Sequence, residues 1–304
     1  MRRLFPLLLV LCSCDDQQPA SPAPSPAVQA PAELIDTPEF SGHNAYTHCA
    51  AICAMGPRYS GSAAYETQLQ YLEKHLHAAG WQTVRDTFAA PNGVRMCNLR
   101  AFRSSTPAPI LISCHVDTKI NIAPDFQSAD DGASGAAVLL ELARTLKEER
   151  VELIFLDGEE AFAPRMSDED GLYGSRFDVA RRGSTLPRWQ INLDMVGGRN
   201  KTIAVPALDT SDAMYAQYTA AVKTLGFSEM KWTAWPGSYL DDHVPYLEAG
   251  VDSLNLIAVF SGSNWWHTPR DNMSRICPRS LHESGLITRQ LIGQLLSADG
   301  ANAQ

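Results

Sequence analysis

Six residues, Val151-Glu152-Leu153-Ile154-Phe155-Leu156, run with one polar break and stop abruptly at Asp157-Gly158-Glu159-Glu160. So short an apolar run, closed by a turn, reads as a buried strand. In open α/β sheets ligands sit just beyond the carboxyl ends of strands, so this acidic turn is where chemistry is expected. Adjacent glutamates cannot share one role: one can bind a metal while its neighbour, pointing elsewhere, handles a proton. The plain alternative for a lone Glu-Glu pair is a solvated turn.

The rest of the chain supplies the context for that strand. Ala63 to Ala79 carries Leu69, Leu72 and Leu76 at helical spacing and stops at Gly80. Thr83–Ala89 and Val94–Phe102 read as strands around Pro91-Asn92-Gly93, and Ile110–Ser113 as a short buried strand. Helices are expected over Ala133–Leu146, Leu172–Arg182, Ser211–Leu225 and Pro278–Leu296, the last with Pro in its first turn. Trp189–Val196 and Val251–Val259 complete the strands. Strands alternating with helices predict an α/β fold: one globular domain, residues 39–304, with a largely parallel mixed sheet flanked by helices on both faces.

Residues 1–14 have the form of a processing signal: Arg2 and Arg3, then apolar Leu4 to Leu11, then Cys12-Ser13-Cys14. The ending resembles the bacterial lipoprotein signal, with Cys14, preceded by the small Ser13, as the lipidation site. An ordinary secretory signal is the alternative, and either one exports the protein, to a membrane-anchored position outside the cytoplasm under the lipoprotein reading. Residues 15–38 are rich in Pro, Ala, Ser and Gln without an apolar period, a tether rather than a core. The net charge of -9, with no basic patch, argues against nucleic acid as a partner. Cys49, Cys53, Cys97, Cys114 and Cys277 follow the signal; Cys49 and Cys53 lie one helical turn apart, where a local bridge could form.

The remaining polar clusters fall at element ends: His115-Val116-Asp117, Asp130-Asp131, Glu159-Glu160, Asp194, Asp241-Asp242-His243 and Trp265-Trp266-His267. Each has a modest explanation by itself, Asp131 as a helix N-cap, Asp194 as a buried charge paired with Arg, His267 as a loop histidine. Together, at the rim of one sheet, they form a common ligand set for catalytic zinc. His43, His48, His75, His77 and His282 fall on predicted loops or helix surfaces, and Ser175 and Ser238 lack a nucleophile-elbow context.

Several stretches carry a resemblance. Cys114-His115-Val116-Asp117, Leu140-Glu141-Leu142-Ala143, Ile154–Phe162, Leu172-Tyr173-Gly174-Ser175-Arg176, Leu193-Asp194, Asp241 to Leu247, and Trp266-His267-Thr268 with Asp271-Asn272 resemble the animal-type zinc-dependent glutaminyl cyclases, which share a fold with the M28 zinc aminopeptidases. The resemblance implies one Zn2+ held by Asp131, Glu160 and His267, with Glu159 as proton shuttle. It further implies that Asp194 and Asp241 hydrogen-bond to Glu159, that Trp266 lines the substrate pocket, and that the substrates are peptides or proteins with N-terminal Gln. The chain departs from the family at four places. Ala163-Pro164-Arg165-Met166 stands where the cyclases have a tryptophan, Asn255 where a histidine is expected, and Ala136 where Cys114 would find its disulfide partner. Asp130 to Gly135 looks more like the aminopeptidases. The rival reading is therefore a two-zinc aminopeptidase, with His115, a bridging Asp131, Glu160, Asp194 and His267 as ligands and Glu159 as base. A non-catalytic binding lipoprotein is a third.

Overall fold

A computed structural model describes residues 36–167 and 169–302. The signal-like segment 1–14 with Cys14, and the tether as far as residue 35, lie outside the described residues. Within them β1 (Gln82–Ala89), β2 (Arg95–Phe102), β3 (Ile110–His115), β4 (Val151–Leu156), β5 (Trp189–Asp194), β6 (Ile203–Pro206), β7 (Trp232–Trp235) and β8 (Asp252–Ala258) form one sheet in the order β1-β2-β4-β3-β5-β8-β6-β7. The central four, β4-β3-β5-β8, pair in parallel, with β2 and β6 antiparallel beside them. The mixed, largely parallel sheet agrees with the sequence.

Every residue of β3, β4 and β5 is buried, which is why these strands lack the polar alternation of a half-exposed sheet. Pleating sends Ile110, Ile112, Val151, Leu153 and Phe155 into the larger core, and Leu111, Ile154 and Leu156 into a smaller one with Tyr246 and Val251. The larger core is covered by α1 (Gly42–Cys53), α2 (Ala63–Ala78), α3 (Ala133–Thr145), α5 (Asp212–Thr224) and α7 (Pro278–Asn302). The smaller is covered by α4 (Tyr173–Arg182) and α6 (His243–Glu248). Helices thus flank both faces.

Helix α3 is the buried centre of the larger layer, and its Ala-Ser-Gly-Ala-Ala start lets it approach the sheet. At Gly135 a Cβ would stand 2.7 Å from Cys114 Cβ and 2.8 Å from the Leu193 carbonyl oxygen, so no side chain fits. Its buried Glu141 accepts the Ser41 N–H at 2.7 Å and pairs with Arg144, tying α3 to the start of α1. Ser41, Ser62 and Ser211 cap α1, α2 and α5 with their hydroxyls.

Helix α1 and strands β6 and β7 were not expected from the sequence. His282 was placed on a helix surface but is buried edge-on against Phe40, while His48 is half-buried against Tyr71 and His75. No local bridge forms: Cys49 and Cys53 are free within α1, as are Cys97, Cys114 and Cys277. Among the described residues no helix is long and apolar enough to cross a membrane.

Candidate active site

The carboxyl ends of β3, β4, β5 and β8 deliver the polar clusters to one place. Asp131 sits on the turn before α3, but it is not the N-cap; Gly132 occupies that position with no side-chain cap bond. Its carboxylate is aimed at two histidines instead. Asp131 Oδ1 lies 3.1 Å from His115 Nε2, and Asp131 Oδ2 lies 3.4 Å from His267 Nε2. His267 Nε2 is also 3.0 Å from Glu160 Oε1. Asp194 Oδ1 meets His115 Nε2 at 3.2 Å, so its neutralising partner is histidine and not the arginine that a simple buried charge would need.

Two three-residue groups follow, Asp131–Glu160–His267 and His115–Asp131–Asp194, each able to offer ligand atoms within 4.8 Å of one another. Around zinc with bonds of about 2.0–2.1 Å, neighbouring ligand atoms of a tetrahedron stand about 3.3 Å apart. The 3.0 and 3.4 Å separations around His267 Nε2 match that spacing. Buried Asp131 Oδ2 and His115 Nδ1 have no hydrogen-bond partner, a cost that a bound cation at the first of them would remove. Two carboxylates and an imidazole therefore fit a divalent metal with an open position.

The turns that carry Glu159-Glu160 and Asp130-Asp131 are held by carboxylates from other loops, supports that the sequence alone did not reveal. Asp117 accepts the N–H groups of Glu159 and Glu160 at 3.2 and 3.1 Å. Asp271, four residues after His267, accepts those of Asp130 and Asp131 at 2.8 and 3.1 Å. Buried Arg58 donates to the Gln127 and Ser128 carbonyls, fixing the same turn from below. Lys119 reaches Glu160 Oε2 at 3.6 Å and donates to the Ala161 carbonyl, holding the glutamate from the side opposite His267. His267 itself adopts φ 52°, a left-handed conformation for which the surrounding loop must compensate.

Glu159 lines the same cavity as Asp131, Glu160, Asp194, Asp241, Trp266 and His267. Burial pushes its carboxyl well above the usual range; His115 opposes this, and the charges of Glu160, Asp241 and Asp242 add to it. The resemblance implies hydrogen bonds from Asp194 and Asp241 to Glu159, but the structure engages both elsewhere. Asp194 meets His115, and Asp241 accepts Asn192 Nδ2 at 3.1 Å and Asn255 Nδ2 at 2.7 Å, one on each oxygen. Asn255, where a histidine was expected, is thus one jaw of an amide clamp. Ser113 and Gln190 extend this chain inward across the sheet. Ser175 serves the neighbouring carboxylate, donating to Asp242 at 2.6 Å.

The cavity holds about 470 Å³, within the range of small-molecule sites. Trp266, 39% exposed, forms part of its lip, in a chain of rings Trp235–Tyr239–Phe260–Trp266–His267 with centroids 3.9 to 5.8 Å apart. Pro164, Arg165 and Met166 form another part of the wall. Cys114 is a free, fully buried thiol beside the site, its pKa pushed up by burial.

The sequence pattern described as peptidase family M28 matches residues 99–292, the span from β2 into α7.

The chain belongs to peptidase family M28.

Within this family it is 30% identical over 266 residues to the glutaminyl-peptide cyclotransferase of Gloydius blomhoffii, covering 71% of each chain. The glutaminyl cyclase of Porphyromonas gingivalis superposes with a TM-score of 0.75 at 28% identity, over 84% of this chain and 99% of that one. A Zn-dependent exopeptidase from Parabacteroides distasonis matches with a TM-score of 0.75 at 25% identity, over 84% and 99% of the two chains. Both chemistries thus occur on this scaffold, and the zinc of the second suits the ligand set above.

Proposed function

We propose that the protein is a glutaminyl-peptide cyclotransferase, converting the N-terminal Gln of peptides and proteins to pyroglutamate with release of ammonia. The observation that carries this reading is a single lipped cavity in which Glu159 shares the floor with Asp131, Glu160 and His267. The similarity to cyclases over more than two thirds of the chain supports it, and the motifs Ile154–Phe162, Leu172–Arg176 and Asp241–Leu247 support an animal-type grouping.

In this reaction the substrate's α-nitrogen bonds to its own γ-carbonyl carbon, and the bond from that carbon to the amide nitrogen breaks. When bound by Asp131, Glu160 and His267, one zinc ion supplies Lewis-acid polarisation of the γ-carbonyl oxygen. The nucleophile is already tethered, so the cavity wall has mainly to hold the bent conformer; Trp266 serves this end from the lip. Ammonia leaves only with an added proton. Glu159 as a carboxylate, made more basic by burial, takes a proton from the attacking α-nitrogen and, now a carboxylic acid, returns it to the departing nitrogen. Asp241 acts on Glu159 through its charge rather than through a hydrogen bond, the Asn192–Asn255 clamp holds Asp241 in place, and Asp194 orients His115. The aromatic wall limits water, whose attack would give glutamate instead.

The group His115–Asp131–Asp194 favours a second reading, a two-zinc aminopeptidase using water as nucleophile with Glu159 as base. In the cyclase reading His115 and Asp194 hydrogen-bond around one metal. Incubation with a Gln-dipeptide separates the two: ammonia and a pyroglutamyl product support the cyclase, and free amino acids without ammonia support the peptidase. We also propose export and membrane anchoring through Cys14, supported by the pattern from Arg2 to Cys14.

A further inference from the structure

The cavity is charged unevenly. Its floor carries Asp131, Glu159, Glu160, Asp194 and Asp241, while its Lys and Arg residues are Lys119 and Arg165. Lys119 is buried and engaged by Glu160 and the Ala161 carbonyl. Arg165 is exposed, and among the described residues it has no hydrogen-bond or ion-pair partner. It is therefore the cation of the cavity that remains available to a ligand.

The segment bearing Arg165 is held in shape. Asp170 accepts the N–H groups of Phe162 and Ala163 at 2.8 and 2.7 Å and the Tyr173 hydroxyl at 2.9 Å. Ser167 and Asp170 exchange backbone hydrogen bonds at 3.1 and 3.3 Å. Met166 packs closely over Gly171, where a Cβ would stand 2.8 Å from Met166 Cγ. Pro164 fixes the backbone immediately before Arg165. A pinned loop presents its guanidinium with less ordering cost than a free one.

We propose that Arg165 forms a carboxylate-reading subsite for the part of the substrate that follows the N-terminal glutaminyl residue. This rests on the cyclase reading, which places the substrate's amino end on the acidic floor and leads its chain outward past the lip. A peptide carrying a carboxylate one or two residues along then matches the cavity's polarity, acidic within and basic at the mouth. Arg165 also opposes the repulsion that a chain of net charge -9 would exert on an acidic peptide. The carboxylate can be an Asp or Glu side chain or the free C-terminus of a very short peptide; the geometry of an arginine fork suits either.

The test is steady-state ammonia release by the metal-loaded enzyme on four peptides: Gln-Glu-Ala-amide, Gln-Gln-Ala-amide, Gln-Ala and Gln-Ala-amide. Wild type is expected to show a lower KM for a carboxylate-bearing peptide than for its neutral counterpart. An exposed ion pair gives about a two- to fivefold difference, shrinking with added salt. The first pair of peptides reports a side-chain source and the second a C-terminal one. Arg165→Ala is expected to abolish the ratio and Arg165→Glu to invert it. Ammonia release with the same ratios in wild type and both variants overturns the subsite and leaves the cyclase reading standing. No ammonia from any peptide overturns the cyclase reading, and the subsite with it.

Discussion

The Asp271 carboxylate offers a direct way to perturb the proposed metal centre without touching Asp131, Glu160 or His267. Each of its oxygens accepts one backbone N–H, from Asp130 at 2.8 Å and Asp131 at 3.1 Å. Asp271→Asn keeps the volume and one acceptor, but places an N–H₂ against a backbone N–H that had an oxygen. One buried bond is lost and two donors face each other, a cost of about 1.5–3 kcal/mol. For a domain of this size that lowers Tm by roughly 3–10 °C. The turn that loses its anchor carries Asp131, so this proposed ligand is expected to move as well. Loss of such an outer partner costs about 10- to 100-fold in metal affinity. Competition with a chromophoric chelator measures the affinity, and thermal unfolding of the same preparation measures the stability. A variant with lowered Tm and wild-type metal affinity would show that Asp271 merely staples two loops. That result refutes the reasoning.

Three other outcomes are expected. Glu159→Gln retains the metal, because Asp131, Glu160 and His267 are intact, yet turnover falls by about 10²- to 10⁴-fold, as loss of a general acid–base does; single-turnover kinetics with metal analysis checks both. His48 is held neutral by burial and by neighbouring His75, its pKa lowered to about 4. A histidine depressed on folding contributes stability that is present above its unfolded pKa of about 6.5 and is lost as pH falls toward 4. Denaturant unfolding between pH 7 and 4 should therefore fall less steeply for His48→Leu than for wild type, and equal slopes would contradict the assignment. Cys14→Ala is expected to move the protein from the membrane to the soluble fraction; unchanged fractionation points to a simple secretory signal.

The parallel strands were legible because burial on both faces leaves runs such as Ile110–Ser113 and Ile154–Leu156 without polar alternation. Strands β6 and β7 were not, since four residues are too few for a period to register. Helix α1 follows the tether directly and is rich in Ala, His and Cys, with Ser41 as its one clear start signal. The site was legible where it is charged: Asp131, Glu159, Glu160, Asp194, Asp241 and His267 all reach one cavity. Its supports were hidden for two reasons. Asn192 and Asn255 look like ordinary polar residues within strands, and only the assembled sheet brings them to Asp241. Asp271 stands 141 residues from Asp130 in sequence, so its grip exists only once the His267 loop has docked. Arg165 was visible only as a departure from the family pattern.

The most direct test of the account is the stoichiometry of nitrogen release. The purified, zinc-loaded domain is incubated with a Gln-dipeptide amide, and ammonia and pyroglutamyl product are counted together. The account predicts one ammonia for each pyroglutamyl product, abolished when zinc is chelated and restored when it is returned. Release of free glutamine without ammonia would contradict it and assign the cavity to hydrolysis.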